Sequence, residues 1–144
     1  MKRILGLTLL GAMILTVSVG STLAQRPWYR GDVRQIIRNL ETDTDTFKSS
    51  LDHALDRSPL DGTKAEDEIN EYVKQFEHAT DKLKDRAEDN RYAPNLAREV
   101  LIRVRSINTF MRKHQLGGDA GNDWARVRQD LTLLAAGYKI NWRW

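Results

Sequence analysis

Four stretches of this chain repeat apolar residues at alternating spacings of three and four, the signature of a helix with one buried face. The first runs Val33, Ile37, Leu40, Thr44, Phe47, Leu51 and Ala54, with Ile36 and Leu55 widening the stripe. The second runs Ala65, Ile69, Tyr72, Phe76, Ala79, Leu83 and Ala87, with Val73 beside them. The third holds Ala97, Val100, Val104, Ile107, Met111 and His114, flanked by Leu101 and Phe110. The fourth holds Trp124, Val127, Leu131, Leu134 and Tyr138. Period-two alternation appears only in Tyr138, Ile140, Trp142 and Trp144 at the end of the chain.

Punctuation residues set the expected boundaries. Asp32 with Gln35, and Thr63 with Glu66, have the form of capping boxes. Ser58-Pro59 and Asp61-Gly62 close the first segment. Pro94 suits the first turn of the third, Gly117-Gly118 its exit, and Asn122 the cap of the fourth. The expected helices are about 33–57, 64–89, 94–116 and 123–138, joined by short loops that favour antiparallel neighbours. The expected fold class is therefore all-α, an antiparallel up-down-up-down four-helix bundle.

A different apolar pattern precedes the helices. Lys2 and Arg3 lead into an apolar run from Ile4 to Val19, and Thr22 and Ala24 stand at the small-residue positions of a cleavage site. This is the form of a Sec-type signal peptide over residues 1–24, with residues 25–144 as a single helical domain. The run from Ile4 to Ala24 approaches the roughly 20 residues of a membrane anchor. Gly6, Gly11, Ser18, Gly20 and Ser21 dilute it and favour cleavage. Export places the expected protein in the periplasm or outside the cell.

Export makes the absence of cysteine informative: no disulfide, thiolate metal site or cysteine nucleophile is available, so stability rests on apolar burial. The leader carries two of the 23 basic residues and none of the 20 acidic ones, so the formal net charge falls from +3 to about +1 on cleavage. General attraction to nucleic acid does not follow from that balance, and a membrane contact would be peripheral. The distribution of charge says more. Residues 61–90 hold ten acids and five bases, and residues 91–116 hold six bases and one acid. Two adjoining segments of opposite sign point to side-by-side helices that complement each other. The other reading is a basic binding face, Arg98, Arg105 and Arg112, for an anionic partner.

Chemistry is hard to find. The Glu-x-x-His of di-iron bundles, the His-Glu-x-x-His of zinc enzymes and the Cys-x-x-Cys-His of covalent haem are absent. Met111 and His114 share one helix, whereas ligands to the two faces of a haem come from separate helices. His53 and His78 fall off the apolar stripes, and only alignment of the first two helices would gather them with Asp56, Asp81 or Asp85 around a metal. Ser49, Ser50, Ser58 and Ser106 lack a nucleophile-elbow context. Gly117-Gly118-Asp119-Ala120-Gly121 lacks the lysine of a phosphate loop and reads as a flexible connector.

No catalytic residue and no cofactor are therefore expected, and metal ligation is left open. The expected function is non-enzymatic: binding of a protein or envelope component, or a structural role there. The alternative is a small-ligand or metal-binding periplasmic bundle. Trp28, Tyr29, Trp142 and Trp144 are the candidate aromatic patch, either covering the open end of the core or docking a partner. Oligomeric state is not legible from these patterns.

Overall fold

The computed structural model of the chain describes residues 30–144; the expected leader over 1–24, and Trp28 and Tyr29 of the expected aromatic patch, lie outside them. Four helices follow in order: α1 (Arg30–Asp56), α2 (Lys64–Glu88), α3 (Pro94–His114) and α4 (Gly118–Gly137). No strand occurs among the described residues, and none of these helices is long and apolar enough to cross a membrane.

The apolar stripes meet in one core. Ile37, Leu40, Phe47, Leu51 and Leu55 of α1 are fully buried, as are Ile69, Phe76 and Leu83 of α2. Val100, Val104 and Ile107 of α3 and Val127, Leu131 and Leu134 of α4 complete it. Each such side chain contributes about 1.5–3 kcal/mol by leaving water. Two threonines sit among them, and each satisfies its hydroxyl within its own helix: Thr44 donates to the Leu40 carbonyl (2.6 Å) and Thr80 to that of Phe76 (3.1 Å).

α1 lies against both α2 and α4, α2 lies against α3, and of the neighbouring pairs α3 and α4 approach each other least closely. No Cα–Cα approach within 8 Å joins α1 to α3 or α2 to α4, so these pairs sit on the diagonals. Between α1 and α2, Lys48 pairs with Glu77 (2.9 Å) and Lys84 with Glu41. Between α1 and α4, the Phe47 and Trp124 rings are 5.0 Å apart.

Several helix ends differ from the sequence expectation. α1 begins at Arg30, which leaves Asp32 inside its first turn, and Gln35 bonds to Asn39 instead of closing a capping box. At the start of α2, Thr63 donates its hydroxyl back to Leu60, and Glu66 accepts from the Gly62 N–H. The same two residues therefore tie down the preceding turn, not the helix end. α3 exits through Gln115, left-handed at φ +48°, whose N–H bonds to Met111. Gly117-Gly118 is instead the entry to α4: Gly117 is its N-cap, and the supposed connector up to Gly121 forms its first turn. The reason is Ala120, 1% exposed, which extends the Trp124 stripe by four residues.

Candidate interaction surface

The chain reverses after α4 through a Schellman turn. Ile140 N–H bonds to the Ala135 carbonyl (2.8 Å) and Lys139 N–H to that of Ala136 (3.0 Å), with Lys139 left-handed at φ +56°. A non-glycine residue there carries backbone strain. Lys139→Gly is therefore expected to raise stability by about 0.5–1 kcal/mol, after allowing for glycine's larger unfolded-state entropy. A thermal melt of the variant checks this.

The reversed tail runs back along one side of α4. Trp144 donates its indole N–H to Thr132 (3.2 Å), lies under the Arg128 guanidinium (4.6 Å) and meets Trp124 edge-on (6.4 Å). Trp142 packs edge-on against Trp144 (5.6 Å), and the Arg105 guanidinium of α3 lies 4.9 Å over its ring. The tail thus fills the seam where α3 and α4 approach least closely, which corrects the expectation that it covers the open end of the core. Trp142 is half-buried against the core, and Trp144 keeps 40% of its surface exposed. At the root of the tail Tyr138 stacks on Tyr92 (5.2 Å). Burial, with a smaller contribution from Tyr92, pushes the Tyr138 hydroxyl's pKa up.

Arg98, Arg105 and Arg112 form an exposed row on α3, spaced by two helical turns, or about 10 Å per step. Arg103 marks the opposite side of the helix, about 200° away from Arg105. It bonds to Gln75 of α2 (2.8 Å) and to Glu99 (3.8 Å). The row therefore turns away from α2 and towards α4 and the tail. Among the described residues, no carboxylate lies within 4.0 Å of Arg98, Arg105 or Arg112. Ile102, 62% exposed, stands between the first two.

This corrects the expectation that acidic α2 and basic α3 neutralise each other. They are neighbours, but the ion pairs of α2 reach α1 instead, and the hydrogen bond with Glu77 holds the Lys48 pKa above its ordinary value. Arg105 is the most constrained of the three. Stacking fixes its plane while leaving N–H edges able to meet an oxyanion.

The opposite seam, between α1 and α4, holds a buried polar group that sequence reasoning missed. Asp123 and Asp130 are 6% and 8% exposed. Asp123 pairs with Arg126, whose guanidinium also lies 3.9 Å from Asp43. Burial, then the neighbouring Asp43 charge and a hydrogen bond with it, push Asp130 up to about 6. Burial beside the Asp43 carboxylate therefore favours the protonated form of Asp130. The signal was present, because Asp123, Val127, Asp130 and Leu134 keep helical core spacing.

Beside this seam a groove of 870 Å³ opens between α1 and the start of α4, lined in part by Ser49, Ser50, His53, Arg57 and Asn122. The carboxylates of Asp56, Asp61 and Glu66 converge within 4.8 Å at the α1–α2 turn, without a histidine. Glu66 is already engaged by Gly62, and His53 and His78 stay exposed on separate helices. Comparison with protein-family models, curated proteins and solved structures found no match.

Proposed function

We propose that this chain is an exported, non-catalytic four-helix bundle that binds an anionic macromolecular partner along the arginine edge of α3. The carrying observation is the row Arg98, Arg105 and Arg112, exposed and without a carboxylate partner among the described residues. The basic start, apolar run and small-residue cleavage site of residues 1–24 support export. The up-down-up-down antiparallel order is part of the same reading. It is supported by the opposed numbering of the pairs Glu41 with Lys84 and Lys48 with Glu77. Asp43 with Arg126 and Phe47 with Trp124, on the other side of α1, fit the same order.

Binding to poly-glutamate at low salt tests the edge. Three exposed charge pairs at about 0.2–1 kcal/mol each give a change of about tenfold. Arg98→Glu, Arg105→Glu and Arg112→Glu together are expected to weaken binding by at least that factor in a titration. Arg103→Glu, on the side facing α2, is expected to change it by less than about twofold. Equal losses in the two variants would remove the edge from the proposal.

A further inference from the structure

The arginine row has an acidic counterpart on the same chain that it does not meet. Asp67, Asp81, Asp85 and Glu88 stand exposed on the outer face of α2, interrupted by Lys74 and Lys82. None of the four has an ion-pair partner among the described residues. Burial first, then the neighbouring charges of Glu77, Glu41 and Asp45 against an opposing effect of Lys84, raise the Asp81 pKa. Within one molecule the two rows face apart. The basic row flanks α4 and the tail, and Arg103, on the other side of α3, faces α2.

We infer that the anionic partner of the α3 edge is the outer α2 face of a second copy of this chain. The inference rests on the proposed binding role of that edge. Two different surfaces meet in such a contact, so it is heterologous. Each added copy leaves one acidic and one basic row unsatisfied, and the same step repeats as an open row unless the rotation closes a ring. Because the pairs are exposed, the contact is weak and falls away as salt shortens the reach of charge to a few ångströms. A chain that assembles this way suits a structural role in an exported compartment.

Sedimentation of the purified chain decides the matter. At about 10 mM salt, where charges act over about 30 Å, its weight-average mass is expected to rise as concentration passes about 100 μM, a weak-affinity range. At about 1 M salt it is expected to return to the monomer value. The variant Arg98→Glu/Arg105→Glu/Arg112→Glu and the variant Asp81→Lys/Asp85→Lys/Glu88→Lys are each expected to stay monomeric, since each makes its two rows like-charged. Mixed in equal amounts they are expected to associate again, because every contact in the mixture pairs opposite rows.

Circular dichroism of each variant confirms the helices, and glutamine and asparagine versions replace any that fail to fold. A native chain that stays monomeric at low salt overturns the inference, as does a mixture that stays monomeric while the native chain assembles. If the native chain is monomeric while the arginine variant still loses poly-glutamate binding, the anionic-partner reading stands and self-assembly falls.

Discussion

Trp142→Ala is expected to cost about 3 kcal/mol of folding stability, the lower part of the range for removing a large aromatic, because the ring is half-buried. The loss has three sources. The indole fills the α3–α4 seam, where the helices come least close and no other element replaces it. It carries the stacked Arg105 guanidinium, a contact worth about 0.5–1 kcal/mol at an exposed site. It also supports Trp144, which reaches through Trp124 to Phe47 in the centre of the core.

Two comparisons separate packing from polarity. Trp142→Phe is expected to cost less than about 1.5 kcal/mol, since it keeps most of the apolar filling and removes an indole N–H that is buried without an acceptor. Trp144→Ala, at 40% exposure, is expected to cost about 1 kcal/mol. Urea unfolding followed by circular dichroism gives all three values. A native stability of about 5–15 kcal/mol leaves the Trp142→Ala chain folded but visibly weakened. A cost below about 1 kcal/mol for Trp142→Ala would mean that the tail is only laid on the surface.

The stripes were legible because burial in a helix leaves a periodic trace, and Ile37, Phe76, Val104 and Leu131 sit where spacing put them. The helix ends were less legible, for a physical reason. α2, α3 and α4 stop at left-handed residues, and here these are Asn90, Gln115 and Lys139 instead of glycine. Asparagine tolerates this conformation at position 90, whereas Gln115 and Lys139 carry no mark of it in residue type and are followed by the half-buried Leu116 and Ile140, whose packing offsets the local strain. Glycines mislead in the same way: Gly118 and Gly121 suggest a loose connector until Ala120 is recognised as a core residue.

The site was half legible. Arg98, Arg105 and Arg112 share an edge because heptad spacing on one helix requires it. Their isolation from the acids of α2 depends on how α3 is rotated against its neighbours, which periodicity within one segment does not encode. The tail was misplaced for a related reason: its path depends on a reversal at Lys139 and on two arginines far apart in sequence.

Asp130→Asn is expected to stabilise the protein at neutral pH, although a charged residue is lost. Asp130 is nearly buried on α4, its Oδ2 lacks a hydrogen-bond donor, and the Asp43 carboxyl faces it from α1. Arg126 pairs with Asp123 and Asp43, not with Asp130. Burial therefore favours the protonated acid, with a folded pKa of about 6 against about 3.9 in the unfolded chain.

The sign follows from proton counting. Below about pH 4 both states hold the proton and Asp130 adds no pH dependence. Between about pH 4 and 6 the folded state keeps a proton that the unfolded chain releases, so stability falls as pH rises. Above about pH 6 the folded state also releases it, and the whole penalty is in place. At about 1.4 kcal/mol per pH unit the span sets a ceiling near 3 kcal/mol; the interaction with Asp43 reduces the expected gain of Asp130→Asn to about 1–2 kcal/mol at pH 7. The gain is expected to vanish by about pH 4. Urea midpoints of both proteins from pH 4 to pH 7 should therefore converge at the acid end and separate through the window. Parallel profiles would mean that burial beside Asp43 does not raise the Asp130 pKa. An Asp43→Asn/Asp130→Asn double variant should gain little beyond the better single one, since each substitution already relieves the same repulsion.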